Sequence, residues 1–373
     1  MDPVAGTAEH RGPLEVRARA PGKIILAGEH AVVHGSAAVA AAIDLYTNSS
    51  LLLRPTGPGE GGGAGSGAVE APCSPDQLAA IARLLQDQEI PEAKIWLSAG
   101  LSAFLFLYAS ILGCRPGKAV VSSDLPMGAG LGSSAAFCVS MSGALLTAAG
   151  AVSVGARRGA EGWEVLEKGA LELVNQWAFQ GEKIIHGKPS GIDNSVSTFG
   201  KMIKFKKGEL TNLESWNPVK MLITDTRVGR NTKALVAGVS ERASRHPDAM
   251  ASVFHAVNSI SEELSSIVEL AAEDEIAITS KEDKLAELME MNQGLLQCMG
   301  VSHSSIETVL RTTLKYSLVS KLTGAGGGGC VLTLIPTLSA NTVLEKVTTE
   351  LESHGYRCFK VEVGGRGLQV FRG

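Results

Sequence analysis

Between positions 126 and 136 the chain reads Pro126-Met127-Gly128-Ala129-Gly130-Leu131-Gly132-Ser133-Ser134-Ala135-Ala136: alternating glycines, then two serines, then small residues. Such a run can cradle phosphate, because glycines reach backbone conformations that β-carbons forbid and let N–H groups approach an anion closely. The residues beyond predict a helix through Cys138 to about Ala149, capped by Ser133 or Ser134, with the positive end of its dipole toward a polyphosphate. Two carboxylates lie further on. Glu182 falls late in a predicted helix over Trp163 to Ile185, and Asp193 follows in Gly187-Lys188-Pro189-Ser190-Gly191-Ile192-Asp193-Asn194. The intervening proline and glycines rule out one continuous helix, so the two groups can converge from different directions, one to bind magnesium and the other to meet a hydroxyl. Lys23 leads the apolar run Ile24-Ile25-Leu26-Ala27 and supplies a cation for developing charge. A phosphate cradle, a metal carboxylate, a cation and a group that holds the nucleophile are the working parts of phosphoryl transfer.

Other chemistries fit these residues less well. The loop lacks the lysine of a Walker-type P-loop. Gly324-Ala325-Gly326-Gly327-Gly328-Gly329 satisfies a G-x-G-x-x-G pattern, but the β-rich run Cys330 to Ile335 follows it, closed by Pro336, where a dinucleotide fold needs a helix. His30 and His34 are four apart, yet no Glu directly follows His30, so the zincin motif is absent.

The elements that must position these groups read as two α+β domains. A chain of 373 residues exceeds one compact core. Apolar residues at 45% and charged residues at 19% suit a globular enzyme, and a net charge of −4 gives no general attraction to nucleic acid. The basic run Lys204-Phe205-Lys206-Lys207 reads as a solvated strand end or turn. Six scattered cysteines without a C-x-x-C pair fit buried free thiols in a reducing, cytoplasmic setting. The uncharged stretch Leu125 to Ala156 is poor in large aliphatics, which favours a buried core helix over a membrane span.

Residues 1–13 read as a loose tail without the apolar core of a secretion signal. Strands are expected at Val16 to Ala20, Lys23 to Gly28 and Ala37 to Arg54, then a Gly/Pro-rich break over Thr56 to Ala71. Helices at Ser74 to Glu89 and Trp96 to Leu112 precede a strand at Val120 and Val121. After Gly191 the pattern returns to strands up to Thr224. From Asn231 to about Tyr316 it is helical, with Leu285, Leu288, Met291 and Leu295 on one stripe. Strand, helix from Asn341 to Gly355, and strand close the chain. The boundary falls near Asn217-Pro218, giving domains 14–218 and 219–373 with the active site in the cleft between them.

Three segments together resemble the small-molecule kinases that include galactokinase, homoserine kinase, mevalonate kinase and phosphomevalonate kinase: Pro21-Gly22-Lys23 with its strand, the Pro126 to Ala136 loop, and Lys321 to Cys330. Within that family, Gly28-Glu29-His30 to Gly35, Trp177 to Glu182, His186 to Asn194 and Arg230 to Val236 look like the mevalonate-phosphorylating branch rather than its galactose or homoserine relatives. A catalytically silent nucleotide sensor of this fold is disfavoured by the presence of Lys23, Glu182 and Asp193 together. The resemblance implies a ribosomal-protein-S5-like first domain and a ferredoxin-like second one. It implies ATP- and Mg²⁺-dependent phosphorylation of the mevalonate 5-hydroxyl in isoprenoid synthesis, a homodimer, and inhibition by prenyl diphosphates competing with ATP.

By position, it makes Asp193 the acceptor of the hydroxyl proton, assisted by Lys23. Ser134 and Glu182 would hold Mg²⁺, while Gly128, Ala129, Gly130, Leu131, Gly132, Ser133 and Ser134 cradle the ATP phosphates. Glu29, His30, Ile185, Asp193 and Thr232 would line the mevalonate pocket, and the third glycine motif would close over the site. Two departures stand out: Phe137 where animal relatives carry Tyr, and a short, glycine-rich 56–71 stretch.

Overall fold

A hairpin of two long strands organises the computed structural model, which describes residues 13–54, 75–86, 95–113, 115–153, 162–215 and 217–372. β1 (Leu14–Ala27) pairs antiparallel with β2 (Ala38–Leu53) across a short 3-10 turn (Ala31–His34). The Pro21-Gly22 step, expected to separate two strands, is absorbed as a register shift within β1, since proline's missing N–H is tolerated at a bulge. α1 (Pro75–Gln86) and α2 (Ile95–Leu112) lie where helices were expected. Residues 1–12 of the expected tail, the 56–71 break, the Ser74 and Glu89 helix ends, Cys73 and Cys114 lie outside the described residues. β3 (Gly117–Ser123) runs along the far half of β2. α3 (Ser133–Ala148) then leaves the glycine loop and is buried along nearly its whole length.

Two expectations fail between positions 163 and 199. The segment from Trp163 is not the first turn of the long helix. Glu164–Val165 is a short strand, β4, paired with the last strand of the chain, and Trp163 stacks under Arg19 at 4.4 Å. α4 (Lys168–His186) starts only beyond it. After Gly191 comes a helix, α5 (Ile192–Phe199), rather than strand. Its Ile192 and Val196 pack with Ala40 and Ala42 of β2, whose small side chains let the helix lie close to the sheet. Asp193 therefore sits in the first turn of a helix.

Strands β5 (Met202–Lys206), β6 (Glu209–Leu213) and β7 (Val219–Asp225) follow. The basic run is the end of β5 and its turn, with Lys204 and Lys206 both paired to Glu262, at 3.1 and 2.8 Å. The helical block comprises α6 (Thr232–Arg245), α7 (Pro247–Glu269), α8 (Glu275–Met299) and α9 (Ser304–Leu314). Asn231 and Asp274 cap α6 and α8 by accepting from the N–H groups of Ala234 and Ala277. The inward face of α8 carries Leu285, Leu288, Met289, Asn292 and Leu296, whereas Met291, expected on it, is exposed. The face is turned by Asn292 and Gln293, which serve a buried polar cluster described below. β8 (Ser320–Leu322), β9 (Cys330–Ile335), α10 (Asn341–Ser353), β10 (Arg357–Val363) and β11 (Gln369–Arg372) complete the chain.

Among the described residues all strands join one antiparallel sheet of eleven, with the path β4-β11-β1-β2-β10-β7-β9-β8 and with β3 and the β5-β6 hairpin added along β2. The pairing of Val363 with Ile43 carries the sheet from one half into the other. β11 returns to β1, so the end of the chain lies in the sheet of its first half. α3, α4 and α5 pack on one another, and α3 and α5 on β1, while α8 and α9 pack on β8 and α10 on β10. This mixed architecture agrees with the expected α+β class. Leu145, fully buried on α3, belongs to the larger core cluster. Leu145→Ala is expected to lower unfolding stability by about 2–5 kcal/mol in urea titrations; a loss under about 1 kcal/mol would contradict this placement of α3.

Candidate active site

A cleft of about 1320 Å³ opens where β1, the turn after it, the 128–134 loop, the end of α4, the starts of α5 and α6, and Gly324-Ala325 meet. Lys23 lies on its floor with a nearly buried side chain, and Nζ stands 3.2 Å from Asp193 Oδ1, whose side chain is still 38% exposed. The Lys23 N–H donates to the Leu131 carbonyl of the glycine loop at 2.8 Å. Its stem crosses Gly132, where a Cβ would come within 2.8 Å of Lys23 Cγ. Gly132, at φ 73°, also occupies the cap position of α3. Neither serine caps the helix, because Ser133 and Ser134 are its first two residues. Their N–H groups belong to the first turn, which has no intrahelical acceptors. Ala129 and Leu131 are buried in the core, leaving backbone rather than side chain to meet an anion.

Ser134 Oγ lies 3.0 Å from His186 Nε2 at the end of α4. Glu182, one turn earlier, is 3% exposed, with Oε2 4.0 Å from the same imidazole nitrogen and Oε1 accepting from the Cys138 thiol at 3.9 Å. Burial, then the Asp193 charge, push the Glu182 carboxyl from 4.5 up to about 7, against the pull of Ser134, Lys23 and Cys138. Burial and Glu182 push the Cys138 thiol well above its usual value, which leaves it an inert neighbour. Among the described residues no three His, Cys, Asp or Glu side chains form a metal cage. The Ser134 hydroxyl and Glu182 carboxylate are hard oxygen donors, which suit a magnesium ion that shares its other positions with phosphate and water.

Glu29, His30, Ile185 and Thr232 also line the cleft, as does Phe137, which offers no hydroxyl. Both Glu29 oxygens are engaged, Oε1 by the Lys321 ammonium and Oε2 by Asn292 Nδ2 at 3.1 Å. His30, a non-glycine residue at φ 58°, places Nε2 2.9 Å from the Ala325 carbonyl. His34 instead stacks on Phe254 with centroids 4.2 Å apart, so the two imidazoles serve separate contacts.

The sequence places Arg230 at the head of the Arg230 to Val236 segment but assigns it no role. Its guanidinium lies against Gly130 of the first glycine loop and Gly324 and Gly329 of the last, with Nη1 3.5 Å from the Thr323 carbonyl. A side chain at Gly130 would collide with it. Burial lowers its pKa, opposed by Cys330, Asp225 and Asp193.

Family models described as "GHMP kinases N terminal domain" and "GHMP kinases C terminal" match residues 100–201 and 275–353. A mevalonate kinase of Arabidopsis thaliana is 55% identical over 96% of this chain and 100% of its own length. One from Mus musculus is 38% identical over 94% of each. The crystal structure of L. major mevalonate kinase in complex with R-mevalonate has the same fold, with a TM-score of 0.70 at 21% identity over 94% of this chain and 96% of that one.

Gly132→Ala is expected to displace Lys23 and lower turnover about 10²-fold, the cost of misplacing a reacting group by about 1 Å, with an unchanged circular dichroism spectrum. Turnover within about threefold of wild type would contradict the role given to this contact. Glu182 generates a pH signature. Its folded value of about 7 exceeds the 4.5 of an unperturbed carboxyl, so the unfolded chain ionises first. Without divalent cations, stability should fall by up to about 3 kcal/mol as pH rises from 4.5 through 7. The melting temperature of Glu182→Gln, relative to wild type, should therefore be higher at pH 8 than at pH 5. An equal difference at both pH values would contradict the buried, raised carboxyl.

Proposed function

The chain belongs to the mevalonate kinases of the GHMP kinase family, and we infer on that premise that it transfers the γ-phosphoryl group of ATP to the 5-hydroxyl of mevalonate, giving 5-phosphomevalonate and ADP on the route to isoprenoids. The observation that carries the mechanism is the Lys23–Asp193 pair at the cleft floor, one partner buried and the other open to the cleft.

Asp193 accepts the proton of the attacking hydroxyl and holds its oxygen in line. Lys23 stabilises the alkoxide as it forms and then the charge on the transferring group, at little reorganisation cost because its stem is pinned by Gly132. The backbone from Gly128 to Ser134 cradles the polyphosphate at the N-terminus of α3. Ser134 and Glu182 would hold Mg²⁺, which when bound screens the phosphate charges. Support for that pairing is their oxygen chemistry and the raised Glu182 carboxyl, which burial and the Asp193 charge lift further than Lys23 draws it down. Arg230 reaches both glycine loops and closes the polyphosphate from the opposite side. His30, Ile185 and Thr232 line the acceptor end.

Division into domains 14–218 and 219–373 is supported by a second core cluster built almost wholly from the later half. Competition by prenyl diphosphates is supported by the apolar wall of Leu97, Leu101, Phe104, Val121 and Met127 beyond the glycine loop. Among the described residues no helix is long and apolar enough to cross a membrane. A cytoplasmic homodimer rests on the family resemblance alone.

In a coupled ADP-release assay with Mg·ATP, turnover is expected with mevalonate and not with galactose or homoserine. Asp193→Ala is expected to lower kcat by about 10²- to 10⁴-fold, the range of a positioned acid or base. A loss under about tenfold with intact folding would remove Asp193 from that role.

A further inference from the structure

Lys321 is fully buried, pairs with Glu29, and has no part in the mechanism above. Its ammonium is saturated: it donates to Glu29 Oε1, to the Leu322 carbonyl at 2.6 Å and to the Ile25 carbonyl at 3.3 Å. An ammonium has three donors, and each has an acceptor. The partners come from both halves of the cleft. Ile25 lies on β1 two residues beyond Lys23, Glu29 opens the turn that carries His30, and Lys321 lies on β8 at the entrance to the last glycine loop.

Around this point the same elements are tied repeatedly. Asn292 Nδ2 donates to Glu29 Oε2, and Gln293 Oε1 accepts from the Leu322 N–H at 2.8 Å. The Thr323 hydroxyl accepts from the Ile25 N–H at 2.9 Å and donates to the Ile25 carbonyl at 3.1 Å. Just beyond the cluster, His30 in its left-handed conformation meets the Ala325 carbonyl.

We propose that Lys321 is a positioning residue, acting through Glu29 to hold the His30 turn against the last glycine loop and so to fix the acceptor end of the cleft. With a partner on each oxygen, Glu29 acts as a strut of that wall. A salt bridge this deep is poor evidence for stability, because desolvation offsets much of the attraction. What it supplies is one geometry. Three bonds from a single ammonium tie β1, the turn and β8 to one another. The cluster borders His30 directly and reaches the nucleotide side only through the Thr323 carbonyl and Arg230, so its loss should be felt more at mevalonate than at the nucleotide.

The inference rests on the mevalonate kinase reading, and the test separates the two. Lys321→Met alone leaves the Glu29 charge buried without its partner, and a large loss of melting temperature is expected. The double variant Glu29→Gln/Lys321→Met removes both charges and is expected to recover most of that loss. It should still raise KM for mevalonate about tenfold while KM for Mg·ATP stays within about threefold, the pattern of a lost acceptor-binding geometry. Asn292→Ala keeps the ion pair and removes one tether of Glu29. It is expected to give a smaller selective rise, about threefold, and remains informative if the double variant does not fold. Wild-type KM for mevalonate in the folded double variant, or in Asn292→Ala where the double variant does not fold, overturns the positioning role. An equal rise for both substrates also overturns it. Absence of turnover by the wild-type protein with mevalonate would instead overturn the functional reading beneath it.

Discussion

A lysine ammonium must be kept beside an aspartate carboxylate at the bottom of a cleft, with one partner dry and the other open. That constraint explains more of this structure than any other. Lys23 sits in a strand paired along its whole length with β2, its N–H is committed to the glycine loop, and its stem rests on a glycine that has no room for a side chain. A flexible four-carbon stem is an imprecise holder of charge in solution. Here strand pairing and steric contact remove that freedom before any substrate arrives, which is how preorganised electrostatics lowers a barrier.

The same economy recurs on the phosphate side. α3 is buried almost throughout, so its N-terminus is a fixed point to which the glycine loop delivers backbone donors. Glu182 hangs beneath that terminus from α4, and Asp193 enters from α5 after two left-handed glycines, Gly187 and Gly191, redirect the chain. The raised Glu182 carboxyl records the cost of its burial first and of the neighbouring Asp193 charge second. From the other half, the last glycine loop and Arg230 approach as one unit, because Gly324 and Gly329 both pack against the guanidinium. Each glycine-rich segment thus buys closeness between backbone and charge.

Much of this was legible from sequence because the signals were local. The glycine loop, the helix after it, the helical block from Asn231 and the strand after the last glycine motif all follow from short-range pattern. What misled were places where tertiary contact overruled local preference. Pro21-Gly22 suggests a break but is carried through β1 by pairing to β2. Trp163 to Val165 continues a helical pattern yet is drawn into the sheet by β11 and by stacking on Arg19. The segment after Gly191 forms a helix because Ile192 and Val196 find the small-residue face of β2. Spacing assigns Met291 to the core, whereas the burial of polar Asn292 and Gln293 turns α8 away from it. Arg230 and Lys321 stand in recognisable segments of the sequence, but their roles could not be read from it. Their meaning lies in what they touch, and those partners are far away along the chain.

The most direct measurement is a crystal structure with mevalonate and a non-hydrolysable ATP analogue bound together. The predicted result places the mevalonate 5-hydroxyl within about 2.6–3.2 Å of an Asp193 carboxylate oxygen, the reach of a general base, with Lys23 Nζ facing the same oxygen and the γ-phosphorus on its far side. A 5-hydroxyl turned away from Asp193, with the carboxylate still paired to Lys23 and no water between them, would contradict it.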